Sequence, residues 1–358
     1  MKISGKYYKT AEGSVTWQSP SNIAFIKYWG KKDNQVPCNP SLSMTLKNSV
    51  TKTRVNFKKS SDPLINYYFE NKVNKKFQER VINYIFNITR YIPFLNDYSL
   101  EIYSENNFPH STGIASSASF YSSLALALCS IDYELHEKDK NNVFFQRASF
   151  LSRLGSGSAC RSVYAPYAIW GNTKADNLSS NDYAVKPSFQ VNDYFNSLCD
   201  AVLIISNKMK AISSSDAHKL MINNPFAQKR YEQANINLED IIIAMQNNDP
   251  ERFYKIIEKE ALTLHSMLMT STPPNLLLHP NTIAVINDLE LFRKETNLLF
   301  GYTIDAGPNI HLIYNKQDKE KITMFIKTVL SEYLYNNHWI DDEAGTGPKE
   351  IVKISNGR

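Results

Sequence analysis

Apolar and polar positions follow two rhythms along this chain, a period of two in short runs and a helical period in longer ones. In the first half, residues 15–17, 23–28, 41–46, 51–57 and 100–104 are rich in the β-branched and aromatic residues of half-buried strands. Residues 77–91 place Val81, Ile82, Ile85 and Ile88 at helical spacing, and 120–128 and 143–154 read as further helices. A short strand is expected at 165–170, and the polar stretch 172–183 follows it. Beyond lies an apolar strand at 201–205, then a succession of helical patterns. One helix starts at Asp249-Pro250-Glu251: Asp caps, Pro fits the first helical position, and Glu suits the positive end of the dipole. It stops at Thr272-Pro273-Pro274. A helix at 281–295, strands at 302–304 and 311–314, and a helix at 319–335 complete the pattern. The polar tail from Asp341 is expected to be loosely held.

A chain of 358 residues exceeds what one core usually holds. The pattern divides near residue 195 into two α+β halves, 1–194 and 195–358. Hydrophobic content of 42% and aromatic content of 12% suit a folded globular protein. The net charge is +5, with Lys and Arg scattered apart from pairs such as Lys58-Lys59 and Lys75-Lys76. That argues against a nucleic-acid surface and fits small anionic ligands. The four cysteines, Cys38, Cys129, Cys160 and Cys199, are far apart, and the seven histidines form no cluster, so no zinc site is expected. Cys129 and Cys199 read as buried free thiols. Residues 1–10 are polar and lack the apolar core of a signal peptide, and no segment approaches the ~20 apolar residues of a membrane span. A cytoplasmic location without a membrane partner is expected.

Chemistry concentrates in a few segments. Residues 106–118 read Asn-Asn-Phe-Pro-His-Ser-Thr-Gly-Ile-Ala-Ser-Ser-Ala, between the strand at 100–104 and an apolar helix. A small-residue loop feeding a helix N-terminus makes an anion site, because the first N–H groups lack internal partners and the dipole favours negative charge. Gly113 allows close backbone approach, and Ser116 and Ser117 offer hydroxyls to phosphate or magnesium. No Gly-Lys-Ser/Thr follows, so this is not a Walker loop, and the same residues would also suit an ordinary capped core helix. Residues 155–162 read Gly-Ser-Gly-Ser-Ala-Cys-Arg-Ser. There Gly155 and Gly157 let the chain turn, and Arg161 can grip a carboxylate or phosphate with two bonds; a flexible loop with a surface Arg is the alternative. Asp305 stands between an apolar strand and Ala-Gly-Pro, where it is either a turn aspartate bonding its own backbone or a reactive carboxylate. Lys27 and Lys31 flank Tyr28-Trp29-Gly30, and Lys27 shares a strand face with Ile23.

Four segments, 21–31 (Ser-Asn-Ile-Ala-Phe-Ile-Lys-Tyr-Trp-Gly-Lys), 106–118, 155–162 and 302–309 (Tyr-Thr-Ile-Asp-Ala-Gly-Pro-Asn), stand in an order and spacing that resembles the diphosphomevalonate decarboxylase family of the GHMP kinase superfamily. The resemblance spans about residues 19–314. It implies a two-domain α+β fold of GHMP kinase type, with an ATP-binding first domain (1–194), a second domain (195–358) and the active site in the cleft between them. It also implies a cytoplasmic homodimer that uses ATP and Mg2+ to decarboxylate mevalonate 5-diphosphate to isopentenyl diphosphate. Carried over residue by residue, it implies Asp305 as the group facing the substrate's tertiary hydroxyl, Lys31 beside it, and Arg161 on the substrate carboxylate. Tyr28, Ser156, Ser158, Ser214 and Ser215 are implied to bind substrate. Pro109, Ser111, Gly113, Ala115, Ser116 and Ser117 are implied to bind ATP, with Ser116 as a magnesium ligand.

Two departures from the family bear on selectivity. Asp216 stands where some bacterial members carry an arginine, and Ala261-Leu262 precede His265 where the family usually has Ser-Asn. A decarboxylase of a mono- or bisphosphorylated mevalonate is therefore a rival. A GHMP small-molecule kinase would use the same loop without decarboxylation, and a non-catalytic relative would have lost Asp305 or the loop serines.

Overall fold

The computed structural model describes residues 11–108, 114–208 and 212–356. In chain order the elements are β1 (Glu12–Ile26), β2 (Ser41–Lys59), β3 (Ile65–Phe69), α1 (Lys75–Ile88), β4 (Tyr98–Asn106), α2 (Ser116–Leu135), α3 (Asn142–Gly155), β5 (Tyr167–Trp170), α4 (Asp193–Asn196) and β6 (Leu198–Leu203). They continue with α5 (Ser214–Lys219), α6 (Ala227–Asn247), α7 (Pro250–Met269), α8 (Pro280–Thr296), β7 (Phe300–Ile304), β8 (Ile310–Asn315), α9 (Lys319–Thr328), β9 (Trp339–Glu343) and β10 (Lys349–Asn356). A six-stranded sheet runs β10-β1-β2-β4-β3, with β5 also paired to β2; a four-stranded sheet runs β7-β8-β6-β9. The expected α+β class is observed.

The two strands expected at 15–17 and 23–28 are one continuous strand, as are those at 41–46 and 51–57. Between the first two, the polar side chains find partners inside the fold. Ser19 donates to the Ser122 hydroxyl at 2.7 Å, and Asn22 donates to the Ser158 carbonyl and the Ser162 hydroxyl. Register shifts between Pro20 and Asn22 and between Ala24 and Ile26 bend β1 without ending it.

The tail from Asp341 is not loose, which corrects the expectation. β9 pairs with β6 and β10 returns to pair with β1. The polar residues there are those of strand edges, and the Asp342 carboxylate accepts the backbone N–H groups of Lys47, Asn48 and Ser49 at 2.8 Å each. The last helix also ends earlier than its periodicity predicts. Leu330 and Leu334 continue to bury into the same core as Phe325, but past α9 the chain tightens, with the Leu334 N–H bonding the Ser331 carbonyl.

Side chains of the two halves share one core cluster, which includes Phe25, Tyr167, Phe253 and Ile313. Phe25 meets Phe253 edge-on, with ring centroids 5.1 Å apart. This packing sets the end of β1 against α7 and β7, where the cavity described below opens. Cys129, Cys160 and Cys199 are buried free thiols, and burial pushes the first two up to about 12. Among the described residues, no helix is long and apolar enough to cross a membrane.

Candidate active site

A cavity of about 510 Å³ is lined by the end of β1, the start of α2, the turn after α3, α5, and the turn after β7. Its floor depends on where Lys27 ends up. Lys27 directly follows the buried end of β1, and its backbone N–H donates at 2.9 Å to the carboxylate of Glu260 on α7. Glu260 is itself held by Arg230 of α6, at 2.6 and 3.0 Å, and by Asn237 at 2.6 Å. Both Arg230 and Glu260 are fully buried. An ion pair so deep persists only because geometry and extra hydrogen bonds offset desolvation. It fixes the backbone from which the Lys27 side chain projects.

The Lys27 ammonium reaches Asp305 Oδ1 at 2.8 Å. This corrects the expected pairing: the lysine beside Asp305 is Lys27, whereas Lys31 donates to the Gln35 side chain at 2.9 Å. The glycine turn explains why. Gly30 has φ +86°, and a Cβ there would collide with the Tyr231 ring, so the chain swings Lys31 onto another path along the same cavity. Lys31 is half-buried; burial pulls its pKa down, the nearby Lys219 adds to this, and Asp216 opposes it. Asp305 is not merely a turn residue, because its carboxylate crosses to β1 while His265 donates to its backbone carbonyl at 3.1 Å.

Arg161 is buried and is held by neutral groups: Ser41 at 2.8 Å, Ser43 at 3.1 Å and the Asn22 amide oxygen at 3.3 and 3.4 Å. No carboxylate lies within ion-pair range of it among the described residues, and burial pulls its pKa down. A buried guanidinium so placed favours an incoming anion that restores its lost solvation. It lines the same cavity as Asp305.

Ser156, Ser158 and Tyr28 also line the cavity. The glycines beside them do something other than turn the chain, since neither Gly155 nor Gly157 has a positive φ. They clear space: a Cβ on Gly157 would lie 2.8 Å from the Tyr28 ring, and one on Gly155 would strike Tyr121. Tyr28 packs between Trp170 and His218, with centroids 4.6 and 4.3 Å away and the rings tilted. Burial raises its pKa, so the phenol keeps its proton.

At the start of α2, Ala115 occupies the N-cap position and provides no side-chain cap, whereas α1, α3 and α7 are capped by Asn74, Asn141 and Asp249. Ser116 and Ser117 line the cavity, and the Ser117 hydroxyl lies 3.2 Å from that of Ser156. Pro109, Ser111 and Gly113 lie outside the described residues. Ser214 and Ser215 open α5, with Ser213 as its cap. Asp216 pairs with Ser213 and Lys219 on the exposed side of this helix. Ala261 is buried in a core, Leu262 is exposed, and neither lines the cavity; Leu264 does.

The sequence reading missed Lys27 as the partner of Asp305, Asn22 as the carrier of Arg161, and His218. A lysine at the end of the buried run Ile-Ala-Phe-Ile was the available signal for the first. For the other two, the partners are distant in sequence and no local pattern marks them.

Residues 19–181 match the diphosphomevalonate decarboxylase-like N-terminal domain, and 201–353 match the mevalonate 5-diphosphate decarboxylase C-terminal domain. The chain is similar to the crystal structure of mevalonate diphosphate decarboxylase from Staphylococcus aureus (29% identity, TM-score 0.82), with 95% of this chain and 98% of that one covered. It is similar to the Legionella pneumophila mevalonate diphosphate decarboxylase (31% identity, TM-score 0.75, 92% and 99% covered). It is also similar to MDDEF in complex with MVAPP, AMPPCP and magnesium (26% identity, TM-score 0.82, 95% and 99% covered).

Proposed function

This chain belongs to the mevalonate diphosphate decarboxylase family, and from that premise we propose that it converts mevalonate 5-diphosphate and ATP to isopentenyl diphosphate, ADP, phosphate and carbon dioxide. The observation that carries the reading is a buried Arg161, without a carboxylate partner among the described residues, facing the same cavity as the Lys27–Asp305 pair. A kinase needs only a place for the hydroxyl and the phosphates. A decarboxylase must also hold a carboxylate, and Arg161 supplies that hold.

Hydroxide is a poor leaving group, so a tertiary 3-hydroxy acid does not readily lose carbon dioxide. In the first step the substrate's hydroxyl oxygen attacks the γ-phosphorus of ATP, ADP departs, and Asp305 first accepts the hydroxyl's hydrogen bond and then its proton. Lys27 holds that carboxylate in place. This step asks mainly for positioning and charge neutralisation. In the second step the new phosphate leaves with its bonding pair and positive charge grows at the tertiary carbon. The electrons of the bond to the carboxylate then form the alkene as carbon dioxide is released. Arg161, oriented by Asn22, Ser41 and Ser43, aligns the carboxylate for that cleavage.

Tyr28, Lys31, Ser156, Ser158, Ser214 and Ser215 bind the substrate, and Ala115, Ser116 and Ser117 receive ATP at the uncapped start of α2. The described residues hold no group of three or more His, Cys, Asp or Glu suited to a metal. Magnesium keeps most of its waters and is carried largely by phosphates, so the Ser116 hydroxyl is a fitting single protein donor. When bound, the ion neutralises phosphate charge. The same reading includes the two-domain division near 195, a cytoplasmic location and a homodimer, the last of which light scattering tests.

A substrate panel tests the activity. Mevalonate, its 5-phosphate and its 5-diphosphate are each given with ATP and magnesium, following ADP and carbon dioxide together. Equal ADP and carbon dioxide with the diphosphate alone is the expected result. ADP without carbon dioxide would make the protein a kinase, and turnover of the monophosphate would show that the altered loop at 213–216 had changed the substrate.

A further inference from the structure

The imidazole of His218 on α5 lines the cavity wall and has no part in the steps above. Its Nδ1 accepts the backbone N–H of Gly30 at 3.0 Å. An N–H pointing at Nδ1 means that this nitrogen is bare, so the ring proton resides on Nε2. The ring lies 4.3 Å from Tyr28 and 4.9 Å from Trp29 between centroids, which fixes its orientation. His218 is 8% exposed, and Nε2 makes no hydrogen bond to any described residue. Burial, with Lys31 and Arg161 nearby, pulls its pKa down to about 3. His218 lines the cavity, so its neutral, immobilised ring brings an N–H donor to that wall without adding another positive charge to the one lined by Lys27, Lys31 and Arg161.

We propose that His218 is a substrate-binding residue whose Nε2–H donates to an oxygen of the substrate's diphosphate group, while Nδ1 ties that contact to the Gly30 peptide. The assignment of a diphosphate ligand rests on the decarboxylase reading. The carboxylate end is served by Arg161, while His218 stands on the Tyr28 and Lys31 side of the cavity, where a diphosphate offers many acceptor oxygens. The Gly30 bond gives His218 a second consequence. Gly30 belongs to the turn that carries Lys27, Tyr28 and Lys31, so ligand contact at α5 is transmitted to the backbone beside the reacting groups.

Two variants separate a ligand contact from a purely structural pin. Asparagine can accept the Gly30 N–H but places nothing at the Nε2 position; glutamine places an N–H near Nε2. His218→Asn is expected to raise KM for mevalonate 5-diphosphate about tenfold or more, with kcat changed less than about twofold, as for loss of a hydrogen bond to a charged acceptor. His218→Gln is expected to stay within about threefold of wild type. Normal KM in the asparagine variant with a defect in the glutamine variant would overturn the proposal.

A second measurement needs neither variant to be active nor the substrate to be as named. In protein labelled with 15N-histidine, inorganic pyrophosphate is expected to move the His218 Nε2–H resonance downfield, the signal being identified by its loss in His218→Gln. An unmoved resonance at saturating pyrophosphate would overturn the proposal. If wild type fails to turn over mevalonate 5-diphosphate, the decarboxylase reading falls, while the pyrophosphate titration still decides the role of His218.

Discussion

At the Lys27–Asp305 end of the cavity the reacting groups are held by partners from elsewhere in the fold, whereas at the α2 end the described residues are Ala115, Ser116 and Ser117, with no side-chain cap on the helix. The first end is rigid because a buried carboxylate, Glu260, grips the Lys27 backbone and is gripped in turn by Arg230 and Asn237. The second presents small hydroxyls and helix N–H groups that a phosphate can complete. The contrast follows the chemistry. Bond breaking at a tertiary carbon needs groups placed to a fraction of an ångström, while a nucleotide that arrives and leaves each cycle needs a site completed by the ligand itself.

Removing the reacting carboxylate should break the contrast most severely. Asp305→Asn is expected to lower kcat about 100- to 10,000-fold, with ADP and carbon dioxide falling together and ATP binding kept. Rapid-quench assay with nucleotide titration checks this, and normal turnover would remove Asp305 from the mechanism. Next comes the support beneath it. Glu260→Gln leaves the buried Arg230 guanidinium uncompensated and is expected to cost about 3–5 kcal/mol in urea unfolding, with no change at the nucleotide end beyond that loss.

Acid should expose the same rigidity through His218. The unfolded chain protonates this residue near its ordinary value of 6.5, while the folded ring resists until about 3. Its contribution to stability is therefore intact above 6.5 and declines as pH falls from 6.5 toward 3, by roughly 1.4 kcal/mol per pH unit. His218→Gln should flatten that part of the stability curve, measured by urea unfolding at a series of pH values. The smallest effect belongs to the open end. Ser117→Ala removes one neutral donor and is expected to raise KM for ATP only about two- to tenfold, leaving kcat near wild type.

What could be read beforehand was what is local. The start of α2 announced itself by a run of small residues before an apolar helix, and Asp305 by a strand that ends at Ala-Gly-Pro. The α7 start at Asp249-Pro250 was equally plain, and Asp249 does accept the Arg252 N–H. What was hidden depends on residues brought together across the chain. Lys27 and Asp305 are 278 positions apart, and Lys27 and Glu260 are 233 apart, so neither pairing leaves a local signature. The bend of β1 was hidden differently: the polar residues that separate its two expected strands have their buried partners, Ser122 and Ser162, on later elements. The tail was misjudged because the composition of an edge strand and that of a loose terminus are alike until the partner strand is known.

The central claim is that the lysine of the rigid end, not the one beyond the glycine turn, serves the chemistry at Asp305. The direct measurement is kcat and KM for Lys27→Met and Lys31→Met, with mevalonate 5-diphosphate, ATP and magnesium, reading ADP and carbon dioxide together. The account predicts a loss of about 100-fold or more in kcat for Lys27→Met, and for Lys31→Met a raised KM with kcat largely kept. A Lys27→Met enzyme with near-normal kcat beside a Lys31→Met enzyme that has lost it would contradict the account.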